Sequence, residues 1–272
     1  MPDSPAPVRD AATVILLRGA DDGPEVLMLR RHGRSGFAAD AWVFPGGVVD
    51  AADRSLPAAC WHGIDPARLT QRFAAGATEV LGFHVAAVRE TFEEAGLLLA
   101  SRADGTAVDL EDPAVQRLRH ALAERTATVE FATRLAAEEL VLDLGCLTYL
   151  SRWVTPTAER RRYDTCFFLA RAPRGQVADH DRVETTGQRW LAPATALDEH
   201  RAGRLHLIYP TIKTLEALTE HRTAEALVAA AAAQPEVPSI LPHIQVGADG
   251  RFLRVLHPDD GDFPRERYEV GR

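Results

Sequence analysis

Lysine is almost missing from this 272-residue chain: of 31 basic residues only Lys213 is a lysine, and the rest are arginine. The planar guanidinium suits bidentate phosphate contacts, but the accompanying wealth of alanine points to a compositional bias of the whole sequence. Cysteine is scarce as well. Cys60, Cys146 and Cys166 are odd in number and far apart, without C-x-x-C spacing, which excludes a disulfide framework and a structural zinc site. No apolar run approaches the roughly 18 residues that a membrane span needs. A basic excess is absent too: 31 basic against 39 acidic residues leave a net charge of −8, which argues against a general nucleic-acid binder. The opening MPDSPAPVRDAATV has neither a basic, then apolar, leader nor an arginine-rich amphipathic one. The expectation is a cytoplasmic protein with no membrane and no nucleic-acid partner.

With 46% hydrophobic and 26% charged residues, the composition is that of an ordinary globular protein of one large domain or two small ones. Residues 13–17 and 25–29 read as a hairpin, and apolar runs at 146–150 and 165–170 as further strands. Helical periodicity predicts helices at about 66–75, 83–95, 113–125, 129–140, 193–200 and 210–233. The segment 181–190 reads as a loop, and the residues after 233 as a tail rich in proline and glycine. Mixed strands and helices predict an α/β (α+β) fold. One domain is expected over 1–205, with 206–272 adding a helix and an extended tail packed on it.

The most informative segment is Val85-Ala-Ala-Val-Arg-Glu-Thr-Phe-Glu-Glu-Ala-Gly96. At about 100° per residue, with Glu90 at 0°, Glu93 falls near 300° and Glu94 near 40°, so three carboxylates share one arc of roughly 100°. Val85, Val88, Phe92 and Ala95 occupy the opposite face, and Gly96 suits a left-handed helix end. An isolated E-x-x-E-E is normally a solvated helix face. Like charges at these spacings destabilise a helix by roughly 0.2–0.5 kcal/mol per pair unless a cation offsets them, and oxygen-only ligation suits Mg²⁺ or Mn²⁺. Arg89 lies one helical turn before Glu93, within reach of it.

Read with Phe44-Pro-Gly-Gly47, the segment Arg89-Glu-Thr-Phe-Glu-Glu-Ala-Gly-Leu97 resembles the Nudix box, G-x5-E-x7-R-E-U-x-E-E-x-G-U, where U is bulky and aliphatic. Three departures stand out. Asp53 replaces the first glutamate, Thr91 replaces an aliphatic residue, and residues 54–88, 35 in all, stand where the pattern has seven, an insertion of 28 over about 54–81. An insertion here is similar to the acyl-coenzyme A diphosphatase branch of the family. Glu25-Val-Leu-Met-Leu-Arg-Arg31, Trp153-Val-Thr-Pro156 and Arg161-Arg-Tyr-Asp-Thr-Cys-Phe-Phe-Leu169 also look like segments of that branch.

The resemblance implies a Nudix fold, a mixed sheet sandwiched between helices, and hydrolysis of a nucleoside diphosphate linked to another group. It implies Mg²⁺ or Mn²⁺ held by Glu90, Glu93 and Glu94, with the backbone at Gly47 adding a ligand and Arg89 supporting the carboxylates. Glu184, six residues before Trp190, is the candidate general base or extra ligand. Arg30, Arg31, Arg34, Arg162 and Phe44 are candidates for substrate binding, although a coenzyme A signature is only partly met by Leu27, Leu29, Arg30, Arg34 and Gly36.

Coenzyme A or an acyl-coenzyme A is the leading expected substrate. ADP-ribose, dinucleotides or nucleotide sugars are the second reading, and a non-catalytic nucleotide sensor, which Asp53 keeps open, is the third. The expected partner is a small-molecule diphosphate, with a homodimer as an open alternative. No G-x-S-x-G, phosphate-binding P-loop or H-x-x-x-H pattern offers a competing chemistry.

Overall fold

Alternate residues of the first two strands are apolar on both faces, which is the pattern of a sheet covered on each side. Val14, Leu16, Leu27 and Leu29 enter one buried cluster, while Ile15, Leu17, Val26 and Met28 enter another. In a computed structural model of the chain, which describes residues 6–20, 23–33, 38–123, 131–237, 239–247 and 251–264, this pattern becomes a three-layer sandwich. The strands are β1 (Val8–Ala20), β2 (Gly23–Arg31), β3 (Trp42–Val43), β4 (Gly46–Val48), β5 (Trp61–His62), β6 (Ala100–Arg102), β7 (Leu140–Asp143), β8 (Thr148–Val154), β9 (Arg162–Arg171), β10 (Thr185–Leu191), β11 (Ser239–Ile240), β12 (His243–Val246) and β13 (Phe252–Leu256). The main sheet runs β10-β2-β1-β9-β8-β11, with β3 on β2 and β4 on β1. It is mixed: β1 runs parallel to β9 and antiparallel to β2.

The helices are α1 (Pro66–Phe73), α2 (Ala77–Ala95), α3 (Pro113–Ala123), α4 (Phe131–Ala137), α5 (Pro193–Arg201), α6 (Tyr209–Leu218) and α7 (Ala224–Ala233). Val80, Phe83, Val88 and Phe92 of α2 bury against one face of the sheet, and Leu197, Leu215 and Leu227 of α5, α6 and α7 against the other. Among the described residues no helix is long and apolar enough to cross a membrane.

The sequence reading does not foresee the three-stranded sheet β5-β7-β6, where Leu140, expected to end a helix, opens β7, and four further elements differ from it. α2 begins six residues earlier than 83, after Gly76 as its N-cap, and Gly82 within it lets the helix pack on Arg54 and Val49, where a Cβ would collide with both side chains. The expected helix at 210–233 is two helices, since Thr223 caps α7 by accepting the Ala226 N–H at 3.1 Å. The segment read as a loop before Trp190 carries strand β10 from Thr185, an edge strand of mostly polar residues with little apolar periodicity to reveal it. Part of the tail pairs as the hairpin β12–β13. Residues 124–130, on which parts of two expected helices fall, lie outside the described residues.

The insertion is itself folded. Phe73, at the end of α1, stacks on Tyr149 with ring centroids 4.0 Å apart, and Leu56, Cys60 and Phe73 are buried in the larger core cluster.

Candidate active site

Two glycines set the entrance to the site. β4 lies antiparallel to β1, with Gly46 opposite Thr13 and Gly47 opposite Ala12. A Cβ on Gly46 would collide with the Ala12 carbonyl, and one on Gly47 with the Glu90 carboxylate. Close approach of the β4 backbone to β1 therefore demands glycine at 46, and its close approach to α2 demands glycine at 47. At the far end of α2, Gly96 adopts φ 67° and returns its N–H to the Phe92 carbonyl at 3.0 Å, ending the helix after its third glutamate.

Arg89 is the hub. Only 2% exposed, it donates Nε to Asp53 Oδ1 at 2.9 Å and Nη2 to Asp53 Oδ2 at 2.8 Å. Nη2 also reaches the Val48 carbonyl at 3.0 Å, and Nη1 bridges Glu90 and Glu93, each at 2.9 Å. Asp53, also 2% exposed, accepts the Asp50 N–H at 2.8 Å. The residue that departs from the box pattern thus makes a bidentate pair with the box arginine. Thr91, the other departure within the helix, satisfies its buried hydroxyl on the Ala87 carbonyl at 2.7 Å.

Glu94 points toward β4 and accepts the Gly46 N–H at 3.0 Å. Glu184 arrives from the opposite side on a turn tied to the end of α2: the Asp179 N–H bonds the Ala95 carbonyl at 2.9 Å and the Asp181 N–H the Glu94 carbonyl at 3.1 Å. The Asp181 carboxylate caps the turn by accepting the N–H groups of Val183, Glu184 and Thr185. Glu90, Glu93, Glu94 and Glu184 all line one cavity of about 610 Å³.

Burial raises the pKa of each of the three box glutamates. For Glu93 it is pushed up to about 8, with the Glu90 charge adding to the effect of burial and Arg89 opposing it. Glu90 is raised by burial against the pull of Arg89, and Glu94 by burial and then by Glu90. Glu184 contributes repulsion at both Glu90 and Glu94. Among the described residues no group of three or more His, Cys, Asp or Glu side chains is drawn together as a metal cage. Glu90 and Glu93 turn to Arg89, and Glu94 to an amide. The donor chemistry still fits a hard divalent cation: the acceptors are all carboxylate oxygens, buried and mutually repelling, in a cavity that a positive charge would relieve.

The candidates for substrate binding separate. Arg31 and Phe44 line the cavity. Arg30 is outside it, paired with Asp40 at 3.0 Å. Arg162 is buried and donates to the carbonyls of Thr155 and Ala6 at 3.1 and 3.3 Å, lining a smaller neighbouring cavity. Arg34 falls outside the described residues. Sequence reasoning missed the far end of the cavity, where Trp153, Phe167 and Tyr209 meet Ile244 of β12 and Val255 of β13. These residues come from five separate elements with no shared motif.

A family model for the NUDT19 Nudix domain matches residues 67–218. The acyl-coenzyme A diphosphatase NUDT19 of Gallus gallus is 30% identical over 316 aligned residues, covering 95% of this chain and 82% of that protein. Its Homo sapiens counterpart is 28% identical, covering 89% of this chain and 74% of that protein. The crystal structure of a NUDIX hydrolase from Alicyclobacillus acidocaldarius is similar with a TM-score of 0.69 and 28% identity, over 82% of this chain and 96% of that one. With its insertion, Glu90 and Glu93 of its box gathered on Arg89 and a domain match over more than half its length, this chain belongs to the NUDT19 family of Nudix hydrolases.

Proposed function

We propose that the protein hydrolyses the diphosphate of coenzyme A or acyl-coenzyme A, adding water across the P–O–P bond to give a phosphopantetheine and adenosine 3′,5′-bisphosphate. The observation that carries this reading is the two-ended cavity. Carboxylates gather at one end and apolar and aromatic side chains at the other, beside relatives named acyl-coenzyme A diphosphatase over most of their length.

Nudix hydrolases generally use divalent metal ions, and here Glu90, Glu93 and Glu94, with the backbone at Gly47, are the groups suited to hold Mg²⁺ or Mn²⁺. Bound there, a cation would neutralise the diphosphate and acidify a water. Arg89 holds Glu90 and Glu93 in place, and Glu184, carried by the Asp181-capped turn, is positioned to take the proton of the attacking water. The Trp153, Phe167 and Tyr209 surface excludes water from the far end and accepts the apolar arm of the substrate. A reducing cytoplasm suits the free thiols of Cys60, Cys146 and Cys166.

A panel of coenzyme A, acyl-coenzyme A, ADP-ribose, diadenosine polyphosphate and UDP-glucose, each with Mg²⁺ and Mn²⁺, tests the reading. Coenzyme A species should be cleaved with the highest kcat/KM. Rapid ADP-ribose cleavage with no turnover of coenzyme A species would overturn it.

A further inference from the structure

The floor of the cavity turns basic where β1 and β9 begin. These strands run parallel with Arg9 opposite Tyr163. Because side chains alternate along a strand, Arg9 shares a face with Ala11 and Thr13, and Tyr163 shares one with Thr165, while Arg161 stands immediately before β9. All six line the cavity that holds the carboxylates. A second cavity of about 370 Å³ adjoins this edge, lined by Arg9, Arg160, Arg161 and Arg162, so Arg9 and Arg161 belong to both.

Arg162 is occupied by backbone carbonyls. Arg9, Arg160 and Arg161 are exposed, and among the described residues none of them forms an ion pair. Many arginines elsewhere on the molecule are matched, as in Arg18–Glu25, Arg54–Asp10, Arg102–Asp112 and Arg152–Asp164. Glu159 lies on the same rim but pairs with none of the three. In a chain of net charge −8, three uncompensated guanidinium groups converge on the edge of one cavity, and they suit an anion.

That anion is not the diphosphate at the carboxylates. Arg9 is two residues from Ala11, about 7 Å along the strand, and Ala11 pairs with Val48, next to the Gly47 backbone that touches Glu90. The arginines therefore line the same cavity as the box glutamates, displaced from them along the start of β1 and β9. We propose that Arg9 and Arg161, with Arg160 at the rim, form a phosphomonoester subsite that binds a second phosphate carried on the ribose of the substrate. The subsite selects a 3′-phosphorylated nucleoside diphosphate such as coenzyme A over substrates that lack the extra phosphate. It rests on the reading of the carboxylate end as the diphosphate site.

The test is binding of adenosine 3′,5′-bisphosphate and of AMP to the full chain by titration calorimetry. It compares wild type with Arg9→Ala, Arg161→Ala and Arg174→Ala, the last an exposed arginine beyond the opposite end of β9 that controls for net charge. Wild type should prefer the bisphosphate at least tenfold. Arg9→Ala and Arg161→Ala should each reduce that ratio by about tenfold, the scale of one charge-assisted contact, and Arg174→Ala should leave it. Equal affinity for both nucleotides in wild type, or an equal fall in the ratio with Arg174→Ala, would overturn the subsite. Hydrolysis of coenzyme A against 3′-dephospho-coenzyme A separates the two readings. Turnover of both at equal kcat/KM overturns the subsite alone. Turnover of neither overturns the coenzyme A reading, and the nucleotide preference still decides the role of the arginines.

Discussion

Replacing Asp53 by alanine removes two of the five hydrogen bonds that hold Arg89, the bidentate pair at 2.9 and 2.8 Å. Both residues are 2% exposed, and breaking a buried ion pair costs about 3–5 kcal/mol when the surviving charge is orphaned. Arg89 is not orphaned here, because Glu90 and Glu93 remain on Nη1 at 2.9 Å. The expected loss is therefore at the lower end, about 3 kcal/mol. At roughly 2–4 °C per kcal/mol for a chain of this size, the melting temperature should fall by about 6–12 °C. Activity should fall further than stability implies. Without Asp53 the guanidinium can turn toward Glu90 and Glu93 and compete with the metal and substrate for them, and loss of such a support typically costs 10–100-fold. Thermal melting and kcat at 20 °C below the variant's own midpoint separate the two effects. A variant that melts within 2 °C of wild type, with unchanged kcat, would refute the assignment of Asp53 as the anchor of Arg89.

Glu93→Gln and Glu94→Gln should abolish hydrolysis, and Glu93→Gln should raise the melting temperature of metal-free protein above pH 8, where the wild-type carboxylate is charged, buried and repelled by Glu90; circular dichroism melts and a phosphate-release assay check both halves. The pH dependence has two parts of opposite sign. Glu93, raised to about 8 in the fold against a usual carboxylate value near 4.5, takes up a proton on folding, so metal-free stability should rise as pH falls from 8 towards 4.5, and saturating Mg²⁺ should abolish that rise near neutral pH. His84, lowered to about 4 by burial, works the other way: below 6.5 the unfolded chain protonates first, and in a Glu93→Gln background, which lacks the opposing contribution, about 3 kcal/mol should be lost between pH 6.5 and 4. Denaturant melts of a His84→Phe variant in that background should lack that loss. Ile244→Asp, at the apolar end of the cavity, should lower kcat/KM for a long-chain acyl-coenzyme A relative to free coenzyme A, and an unchanged ratio would show that the acyl arm lies elsewhere.

The legible parts of the sequence were those where chemistry and local geometry coincide. Glu90, Glu93 and Glu94 could be brought together because helical spacing sets them on one arc, Gly47 joined them through the resemblance of Phe44-Pro-Gly-Gly47 and 89–97 to the Nudix box, and the Arg89 contact to Glu93 follows from one helical turn. Asp53 could be numbered as a departure but not given a role, since its bond to Arg89 spans 36 positions. Glu184 is of the same kind: its position depends on bonds from Asp179 and Asp181 to the end of α2, which no periodicity announces. Strand β10 was hidden by polar residues suited to a sheet edge, and the hairpin β12–β13 by a stretch whose prolines and glycines read as tail. Arg162 looked like a substrate contact because it is charged and lies at a strand end. Burial against the carbonyls of Thr155 and Ala6 instead gives it a structural part, and its exposed neighbour Arg161 faces the cavity.

The insertion shows why the box survives interruption. Lengthening the connection between Asp53 and Arg89 from seven residues to 35 raises the entropy of closing that loop by only (3/2)RT ln 5, about 1.4 kcal/mol. Burying a single phenylalanine returns roughly 1.5–3 kcal/mol, and Phe73 alone is 2% exposed, stacked on Tyr149 and accepting the Arg152 guanidinium on its carbonyl at 2.6 Å. Leu56 and Cys60 add to the same cluster, and Gly82 lets the inserted segment lie directly against α2. The added chain therefore offsets its own closure by folding onto β8 and β9, and it exerts no pull on the two residues it separates. Asp53 stays before the insertion and Arg89 after it, each fixed by its own element, so the pair keeps distances of 2.8–2.9 Å across the whole excursion.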